Sequence, residues 1–372
     1  MNIKRILLYI SLITTSLTLQ AQKITLGTCV TKDGGEYKGE MVAGKPHGKG
    51  KTVYKNGNTY EGEYEKGRRQ GTGIYTFSDG EKYEGQWFQD QQHGRGTYYF
   101  MNNNKYDGLW FRDYQQGQGT MYYYNGDKYI GSWTQDKRSG KGKYIYQSGA
   151  WYEGDWKDDK KQGKGTFDWG DGSVYEGQWV NNQRQGKGTF RYSDGSVYVG
   201  DWLNDLQHGK GIYKFHNGDV YEGDYNQGER TGQGVARYAN GSRYTGQFRD
   251  GDRDGIGTMT WKNGDVYVGS WKNDRQHGQG KLTKKVGEVI EGTFQNGLLE
   301  GQVIIHTHDG WRFKGNFRGG KKHGPAIEED KDGNRFEGNY KDGERDGDFV
   351  EKDRNGKVTA KGKYVNGRRR TT

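Results

Sequence analysis

Apolar and polar residues alternate along short segments of this chain, and these segments return at a fixed interval. In one of them Tyr175, Gly177 and Trp179 alternate with polar residues, and Phe190 and Tyr192 continue the pattern further along. A period of two is typical of a β-strand that is buried on one face only. Each interval therefore predicts two antiparallel strands.

The interval is 23 residues, and no insertion or deletion interrupts it between residues 37 and 358. Self-similarity at a fixed period indicates a repeat protein. A partial repeat around Tyr364 follows the last complete one. Fourteen repeats are defined by these lead residues: Tyr37, Tyr60, Tyr83, Tyr106, Tyr129, Tyr152, Tyr175, Tyr198, Tyr221, Tyr244, Tyr267, Ile290, Phe313 and Phe336.

Two kinds of turn are expected between the strands. Asp194-Gly195, and similar pairs in other repeats, predict a two-residue type I′ turn that leads into the next repeat. The six residues after Trp179, Val-Asn-Asn-Gln-Arg-Gln, predict a longer turn within the repeat.

The repeats fall into two classes. Ten successive repeats carry an aromatic residue seventeen positions after the lead residue, whereas Lys284, Thr307, Asp330 and Asp353 stand there from the eleventh repeat onward. From the twelfth repeat the second motif glycine is also replaced, by the residues Val303, Ala326 and Phe349. We therefore expect a lead-in at 22–36, regular repeats at 37–289, variant repeats at 290–358, and a partial repeat with a basic tail at 359–372.

Composition alone would suggest disorder, because only 29% of the residues are apolar and 66 are glycine. The aromatic residues, 14% of the chain, argue against disorder because most of them recur at fixed positions. Only Pro46 and Pro325 interrupt the chain, which suits long runs of backbone pairing.

The motif Tyr-x-Gly-x-Trp-x6-Gly-x-Gly resembles the MORN (membrane occupation and recognition nexus) repeat. The resemblance implies a single-layered, elongated β-sheet that serves as a scaffold, self-association or membrane-linked module, with no fixed catalytic activity. We therefore expect an all-β, single-layer antiparallel meander, a solenoid-like rod. Its aromatic face would be buried in part by its own rings, including a structural column: Trp87, Trp110, Trp133, Trp156, Trp179, Trp202 and Trp271.

The N-terminus predicts a secretory signal peptide at 1–21. Lys4 and Arg5 precede an apolar stretch, and Ala21 ends a small-residue cleavage site. The alternatives are an uncleaved anchor, a chance apolar start, and acylation at Cys29, the only cysteine. Cleavage after Ala21 would place the protein in the periplasm, on the cell surface or outside the cell.

A basic column provides the candidate binding site. Its members lie nine positions after the lead residue, in the predicted longer turns, where they would line one edge of the rod. With a net charge of +10, such an edge suits anionic lipid headgroups or an acidic polymer, although solubility alone could also account for it. The members are Arg69, Arg138, Lys161, Arg184, Arg230, Arg253, Lys322 and Arg345.

Other motifs predict no chemistry. Five histidines share one column but never occur in adjacent repeats, so no pair of them can share a metal ion. The segment 48–52 half-resembles a phosphate loop, yet no helix follows it and the repeat explains its glycines. We therefore expect no catalytic residue, metal or cofactor, and the flanks 22–36 and 359–372 are too short for a catalytic domain.

Three functions remain to be compared. The favoured hypothesis is a scaffold at the cell envelope that binds protein partners or itself. The alternative is binding of anionic lipid or carbohydrate through the basic edge and the aromatic trough. An enzyme would require a further domain, and nucleic acid is not an expected partner of an exported protein.

Overall fold

The computed structural model describes residues 23–370, and all the regular elements among them are strands. The predicted signal peptide lies outside the described residues. The described chain divides into two compact units between Ser139 and Gly140. Within residues 23–370, no helix has the length and apolar character that crossing a membrane requires.

The N-terminal unit contains ten strands, each paired antiparallel with the next. The first lies in the predicted lead-in, and the others follow two to a repeat. The strands are β1 (Thr25–Val30), β2 (Glu36–Val42), β3 (Lys45–Val53), β4 (Thr59–Glu65), β5 (Arg68–Thr76), β6 (Lys82–Phe88), β7 (Gln91–Tyr99), β8 (Lys105–Phe111), β9 (Tyr114–Tyr122) and β10 (Lys128–Thr134).

The C-terminal unit is built of the same kind of antiparallel hairpins, and its first strand begins three residues before the boundary. The strands are β11 (Lys137–Ile145), β12 (Trp151–Lys157), β13 (Lys160–Asp168), β14 (Val174–Val180), β15 (Gln183–Arg191), β16 (Val197–Leu203), β17 (Leu206–Lys214), β18 (Val220–Asn226), β19 (Glu229–Arg237), β20 (Arg243–Arg249), β21 (Asp252–Thr260), β22 (Val266–Lys272), β23 (Arg275–Thr283), β24 (Val289–Gln295), β25 (Leu298–His306), β26 (Arg312–Arg318), β27 (Lys321–Glu329), β28 (Arg335–Lys341), β29 (Glu344–Arg345), β30 (Gly347–Lys352), β31 (Val358–Val365) and β32 (Arg368–Arg370). The predicted all-β antiparallel meander is confirmed.

The turn within a repeat is the tight one, so the prediction of a longer turn there is wrong. Val180 pairs directly with Gln183, and only Asn181 and Asn182 connect them. Both connecting residues have a positive φ, 49° and 74°, as a type I′ turn requires. The six residues after Trp179 mostly belong to strands, because β14 ends at Val180 and β15 begins at Gln183.

The turn between repeats also differs from the prediction. The Gly195 N–H donates to the Tyr192 carbonyl at 3.0 Å, and the Tyr192 N–H donates to the Ser196 carbonyl at 2.8 Å. Gly195 has a φ of 88°, whereas Asp194 has no positive φ. This is a three-residue loop, a type I turn followed by a glycine bulge, and not a two-residue type I′ turn.

The core of a regular repeat is a column of alternating rings on one face of the sheet. Tyr175 is fully buried and contacts Trp179 and Trp202 edge to face, with ring centroids 5.2 and 5.3 Å apart. The Tyr175 hydroxyl donates to the Gln178 carbonyl at 3.1 Å. Edge-to-face aromatic pairs contribute about 0.5–1.5 kcal/mol beyond their buried area. These rings supply the burial that a second layer provides in ordinary domains.

Glycine is required beneath each lead tyrosine. A Cβ added to Gly188 would lie 2.4 Å from the hydroxyl oxygen of Tyr175, closer than any contact allows. The variant repeats resolve the same crowding differently: the lead residues Ile290 and Phe313 lack a hydroxyl, and Val303 and Ala326 stand at the second motif glycine, paired with Gly292 and Gly315. These four side chains belong to a buried cluster that also contains Ile305, Phe317, Phe336, Tyr340 and Phe349.

Candidate binding surfaces

The basic column does not line an exposed edge, so the predicted placement is wrong. Arg184 is the second residue of β15 and lies on the aromatic face, where its side chain is only 19% exposed. Its guanidinium carbon lies 4.4 Å from the ring centroid of Trp202 and 5.3 Å from that of Phe190. Arg184 was expected to lie in a long turn. Because the turn before it contains only two residues, Arg184 lies in a strand instead.

The other members also lie over aromatic rings. A cation over a ring is stabilising by about 0.5–2 kcal/mol, depending on its exposure. The distances from cation to ring centroid are 4.4 Å for Arg69 and Trp87, 5.7 Å for Arg138 and Tyr129, 4.2 Å for Lys161 and Phe167, 5.4 Å for Arg230 and Tyr221, 4.5 Å for Arg253 and Trp271, 4.2 Å for Lys322 and Phe313, and 3.8 Å for Arg345 and Phe336.

Several of these cations also have anionic partners within the chain. Arg184 donates from Nε to Oδ1 of Asp205 at 3.1 Å and from Nη2 to the Asp205 carbonyl at 2.7 Å. Arg253 contacts Asp274 in the same way. Although burial would raise the pKa of Asp274, its hydrogen bonds and ion pair with Arg253 hold it below the usual range. The column therefore joins neighbouring repeats, and its binding of an external anion remains a prediction.

The tryptophan column is buried among the lead tyrosines. Trp87, Trp110, Trp133, Trp179, Trp202 and Trp271 each donate from Nε1 to a motif-glycine carbonyl of the preceding repeat, at 3.1 to 3.3 Å, and Trp156 does the same to Gly142. All seven side chains are buried. The predicted aromatic trough is thus filled by its own rings, which leaves no ring face of this column open for a sugar.

The histidine column is distributed over five repeats: His47, His93, His208, His277 and His323. His93 packs between Phe88 and Phe111, with ring centroids 5.5 and 5.3 Å apart. Among residues 23–370, no group of three or more His, Cys, Asp or Glu side chains is arranged to hold a metal ion.

Comparison with protein families identifies the repeat. The MORN repeat matches the chain at 37–59, 60–82, 83–105, 106–128, 129–151, 152–174, 175–197, 198–220, 221–243, 244–266, 267–289 and 313–335. The chain belongs to the MORN repeat family. MORN repeats are generally non-catalytic and typically serve in protein or membrane interaction.

Two of the fourteen predicted repeats, 290–312 and 336–358, have no match to the MORN repeat. They lack the second motif glycine, which Val303 and Phe349 replace, and their lead residues Ile290 and Phe336 lack a hydroxyl. They nevertheless keep the antiparallel pairing of the MORN hairpin. The matched repeat at 313–335 carries the same two changes, in Phe313 and Ala326, so these changes alone do not account for the missing matches.

Three solved structures show weak similarity to this MORN protein. The wild-type TCP10 domain of Danio rerio CPAP has 16% identity, covers 52% of this chain and 96% of its own, and has a TM-score of 0.29. The same domain in complex with a peptide of Danio rerio STIL has 12% identity, 72% and 93% coverage, and a TM-score of 0.26. A streptogramin B lyase has 14% identity, 73% and 91% coverage, and a TM-score of 0.14.

Similarities with such low TM-scores carry no inference about this chain. No curated protein sequence matches it.

The last MORN repeats contain a buried charge cluster that the sequence did not reveal. Glu328 is buried where regular repeats mostly carry an apolar or aromatic residue, and it accepts hydrogen bonds from Arg345 at 2.6 Å and from the Tyr340 hydroxyl. Burial would raise the pKa of Glu328, but Tyr340, Lys322 and Arg345 together hold it below the usual range. The available signal was the glutamate that stands in this column in the last two repeats, as Glu328 and Glu351, beside two members of the basic column.

A further cation, Arg369, extends the basic column. It pairs with Tyr364 as Arg184 pairs with Trp179, and it lies 4.8 Å from the ring centroid of Phe349. Both nitrogens of its fork contact Glu351, at 3.2 and 3.3 Å. The spacing of five residues from Tyr364 was the signal that could have found it.

The opposite face of the MORN sheet carries exposed aromatic residues in the N-terminal unit. Phe88 ends β6, Phe111 ends β8 and Tyr114 begins β9, and these side chains are 47–49% exposed. Phe111 and Tyr114 are cross-strand partners, and His93 fills the space between Phe88 and Phe111. We call Phe88, His93, Phe111 and Tyr114 the aromatic patch.

Proposed function

We propose that this MORN protein is an exported, non-catalytic scaffold at the cell envelope, and that the aromatic patch is its protein-docking surface. The observation that carries this proposal is the exposure of three large rings on the face opposite the buried columns. In the described part of the chain, no other repeat has an aromatic residue at the corresponding strand ends.

The chemistry of the patch suits a protein partner. Aromatic residues and arginine are enriched at protein interfaces, and a few such anchors dominate the binding energy. Arg112 lies 5.2 Å from the ring centroid of Phe111, at the rim of the patch. His93 supports the two phenylalanines from between, which limits the entropy lost when a partner binds.

The same two strand-end positions in a later repeat provide a matched control. Leu203 and Leu206 form the corresponding cross-strand pair and are 39% and 47% exposed. The test compares Phe111→Asp with Tyr114→Asp, as one double variant, with the double variant Leu203→Asp and Leu206→Asp. Light scattering would measure self-association, and quantitative capture from the native envelope would measure partner binding.

We expect the Phe111 and Tyr114 double variant to lose self-association, or to lose a specific partner that the wild type and the control variant both retain. Equal behaviour of the two double variants, with unchanged thermal unfolding, would reject the patch as the docking surface. Turnover of a substrate by the purified chain would reject the non-catalytic part.

Export is supported by Lys4, Arg5 and the apolar stretch before Ala21. Cys29 lies inside β1 and pairs with Tyr37, so acylation there would remove the residues of β1 that precede it. Cleavage after Ala21 leaves β1 intact. Sequencing the N-terminus of the protein recovered from the envelope or medium tests this, with Gln22 as the expected first residue.

A further inference from the structure

A single row of side chains crosses five strands on the face that carries the aromatic patch. Lys82 of β6 pairs with Tyr99 of β7, and Tyr99 pairs with Lys105 of β8. Lys105 pairs in turn with Tyr122 of β9, and Tyr122 with Lys128 of β10. We call these five residues the lysine–tyrosine ladder. It lies at the opposite strand ends from the aromatic patch, so the two surfaces are separate.

The lysines of the ladder are held in place by the tyrosines. The Nζ atoms of Lys82 and Lys105 lie 4.4 Å from the ring centroids of Tyr99 and Tyr122, and Lys128 Nζ lies 5.0 Å from that of Tyr122. The rings remain 38% and 37% exposed. An ammonium packed against a ring keeps its charge and loses mobility, so less entropy is lost when it binds an anion.

Most of the ladder's charge is not neutralised by the chain. Lys82 contacts Glu84 at 3.3 Å. Within residues 23–370, Lys105 and Lys128 have no carboxylate within salt-bridge distance. The ladder therefore presents cations on every second strand, about 10 Å apart, with an aromatic ring on each strand between them.

This spacing matches one class of linear polymer. We propose that the lysine–tyrosine ladder binds an acidic polysaccharide that carries a carboxylate on every second sugar and lies across the strands. An extended chain of pyranose rings advances by roughly one strand spacing per ring, so alternate carboxylates meet the successive lysines. The intervening sugars contact the exposed parts of Tyr99 and Tyr122, as sugars do on aromatic side chains.

Two other polyanions fit less well. An extended acidic peptide places same-face side chains about 6.6 or 13 Å apart, neither of which matches the lysine interval. A uniformly anionic membrane would meet the exposed carboxylates of Glu84 and Asp107, which flank the ladder on the same face. Sugar hydroxyls can instead donate hydrogen bonds to those carboxylates.

The test is a binding titration of the mature chain with a hyaluronan oligosaccharide, whose uronate occurs on every second ring. A neutral cello-oligosaccharide, poly-glutamate and phosphatidylserine vesicles are the comparison probes. We expect the mature chain to bind hyaluronan saturably, with an affinity that falls as salt is added. Loss of one charged contact, Lys105→Ala, should weaken it by about tenfold, whereas Lys105→Arg should retain it.

Tyr122→Ala should also weaken binding, because it removes the support of two lysines. Lys214→Ala is the control, since Lys214 lies in the same row of a later repeat, at the position that Tyr122 has in the ladder, and pairs with Val197 and Val220 instead of tyrosines. Thermal unfolding of each variant would show whether the sheet is intact. Absence of hyaluronan binding at low salt, equal loss in the Lys214 variant, or tighter binding to poly-glutamate or vesicles would overturn the proposal. None of these outcomes depends on the protein-docking surface.

Discussion

At the scale of single residues, the identity of each lead residue is coupled to that of the residue at the second motif glycine, over which the lead side chain lies. The hydroxyl of Tyr175 occupies the space that a side chain at position 188 would need. In the repeat led by Phe313, which has no hydroxyl, Ala326 stands at the position of the second motif glycine and pairs with Gly315. The two solutions occur in one chain, so the coupling can be tested by exchanging them.

We predict that Gly188→Ala destabilises the protein by about 1–3 kcal/mol, the usual cost of overpacking a filled core. Urea unfolding would measure this loss, since a shifted midpoint at constant slope reports stability alone.

The matched control is the same substitution combined with Tyr175→Phe. Removal of the hydroxyl should recover part of the loss, as the pair Phe313 and Ala326 indicates. Strictly additive effects of the two substitutions would show that the hydroxyl is not the source of the crowding.

The buried tyrosines also predict instability at alkaline pH. Burial raises the pKa of Tyr244 and Tyr267 to about 12, from an ordinary value of 10.0 in the unfolded chain. The folded state therefore binds more protons between these values, so stability is complete below pH 10 and is lost as pH rises toward 12.

Tyrosinate absorbance and circular dichroism, recorded on one pH series, would check this prediction. The buried tyrosines should ionise together with the loss of sheet structure. Ionisation of all tyrosines near pH 10 with the sheet intact would contradict it.

At the scale of elements, the two-residue turn within each repeat also connects neighbouring repeats. Asn182 has a φ of 74°, and its Oδ1 accepts the backbone N–H of Lys161 at 2.8 Å. Asp205 makes the same contact to the N–H of Arg184 at 2.9 Å. Other repeats have Gly67 or Gly228 at this position, which satisfies the backbone but provides no acceptor.

We predict that Asn182→Ala destabilises the C-terminal unit by about 1–2 kcal/mol, because alanine tolerates the left-handed conformation less well than asparagine and also loses the hydrogen bond to Lys161. Asn182→Gly should cost less, because it removes only the hydrogen bond to Lys161. Thermal unfolding of the two variants would distinguish these effects. A glycine variant as unstable as the alanine variant would show that the hydrogen bond matters more than the backbone conformation.

At the scale of the whole molecule, stability should depend mainly on contacts between neighbouring repeats, as in other repeat proteins. Deletion of 198–220 joins Val197 to Tyr221, which recreates the sequence found at every repeat boundary in this region. We predict that this variant folds and unfolds with nearly the wild-type midpoint, measured by circular dichroism.

A deletion of 204–215 is the control, because it removes the single strand β17 and joins two turns that do not match. This variant should unfold at a distinctly lower temperature. Similar midpoints for the two deletions would argue against stability that is built repeat by repeat.

The sequence predicted the fold well and the candidate site poorly. Period-two alternation and the 23-residue interval determine where strands lie and which face is aromatic, because those properties depend on local order alone. The position of Arg184 depended instead on the length of the preceding turn. Asn181-Asn182 and Asp194-Gly195 both permit more than one turn type, and the pairing of Val180 with Gln183 distinguishes them.

The sequence by itself thus determined the repeat, the all-β class and the membership of the aromatic columns. Only the tertiary structure decided what the charged residues do, because their partners lie about 20 residues away in the neighbouring repeat. The basic column was expected to form an exposed edge, whereas in the structure its cations stack on buried rings. The tertiary structure also brought Lys82, Tyr99, Lys105, Tyr122 and Lys128 into one row, which requires the register of five strands to be known.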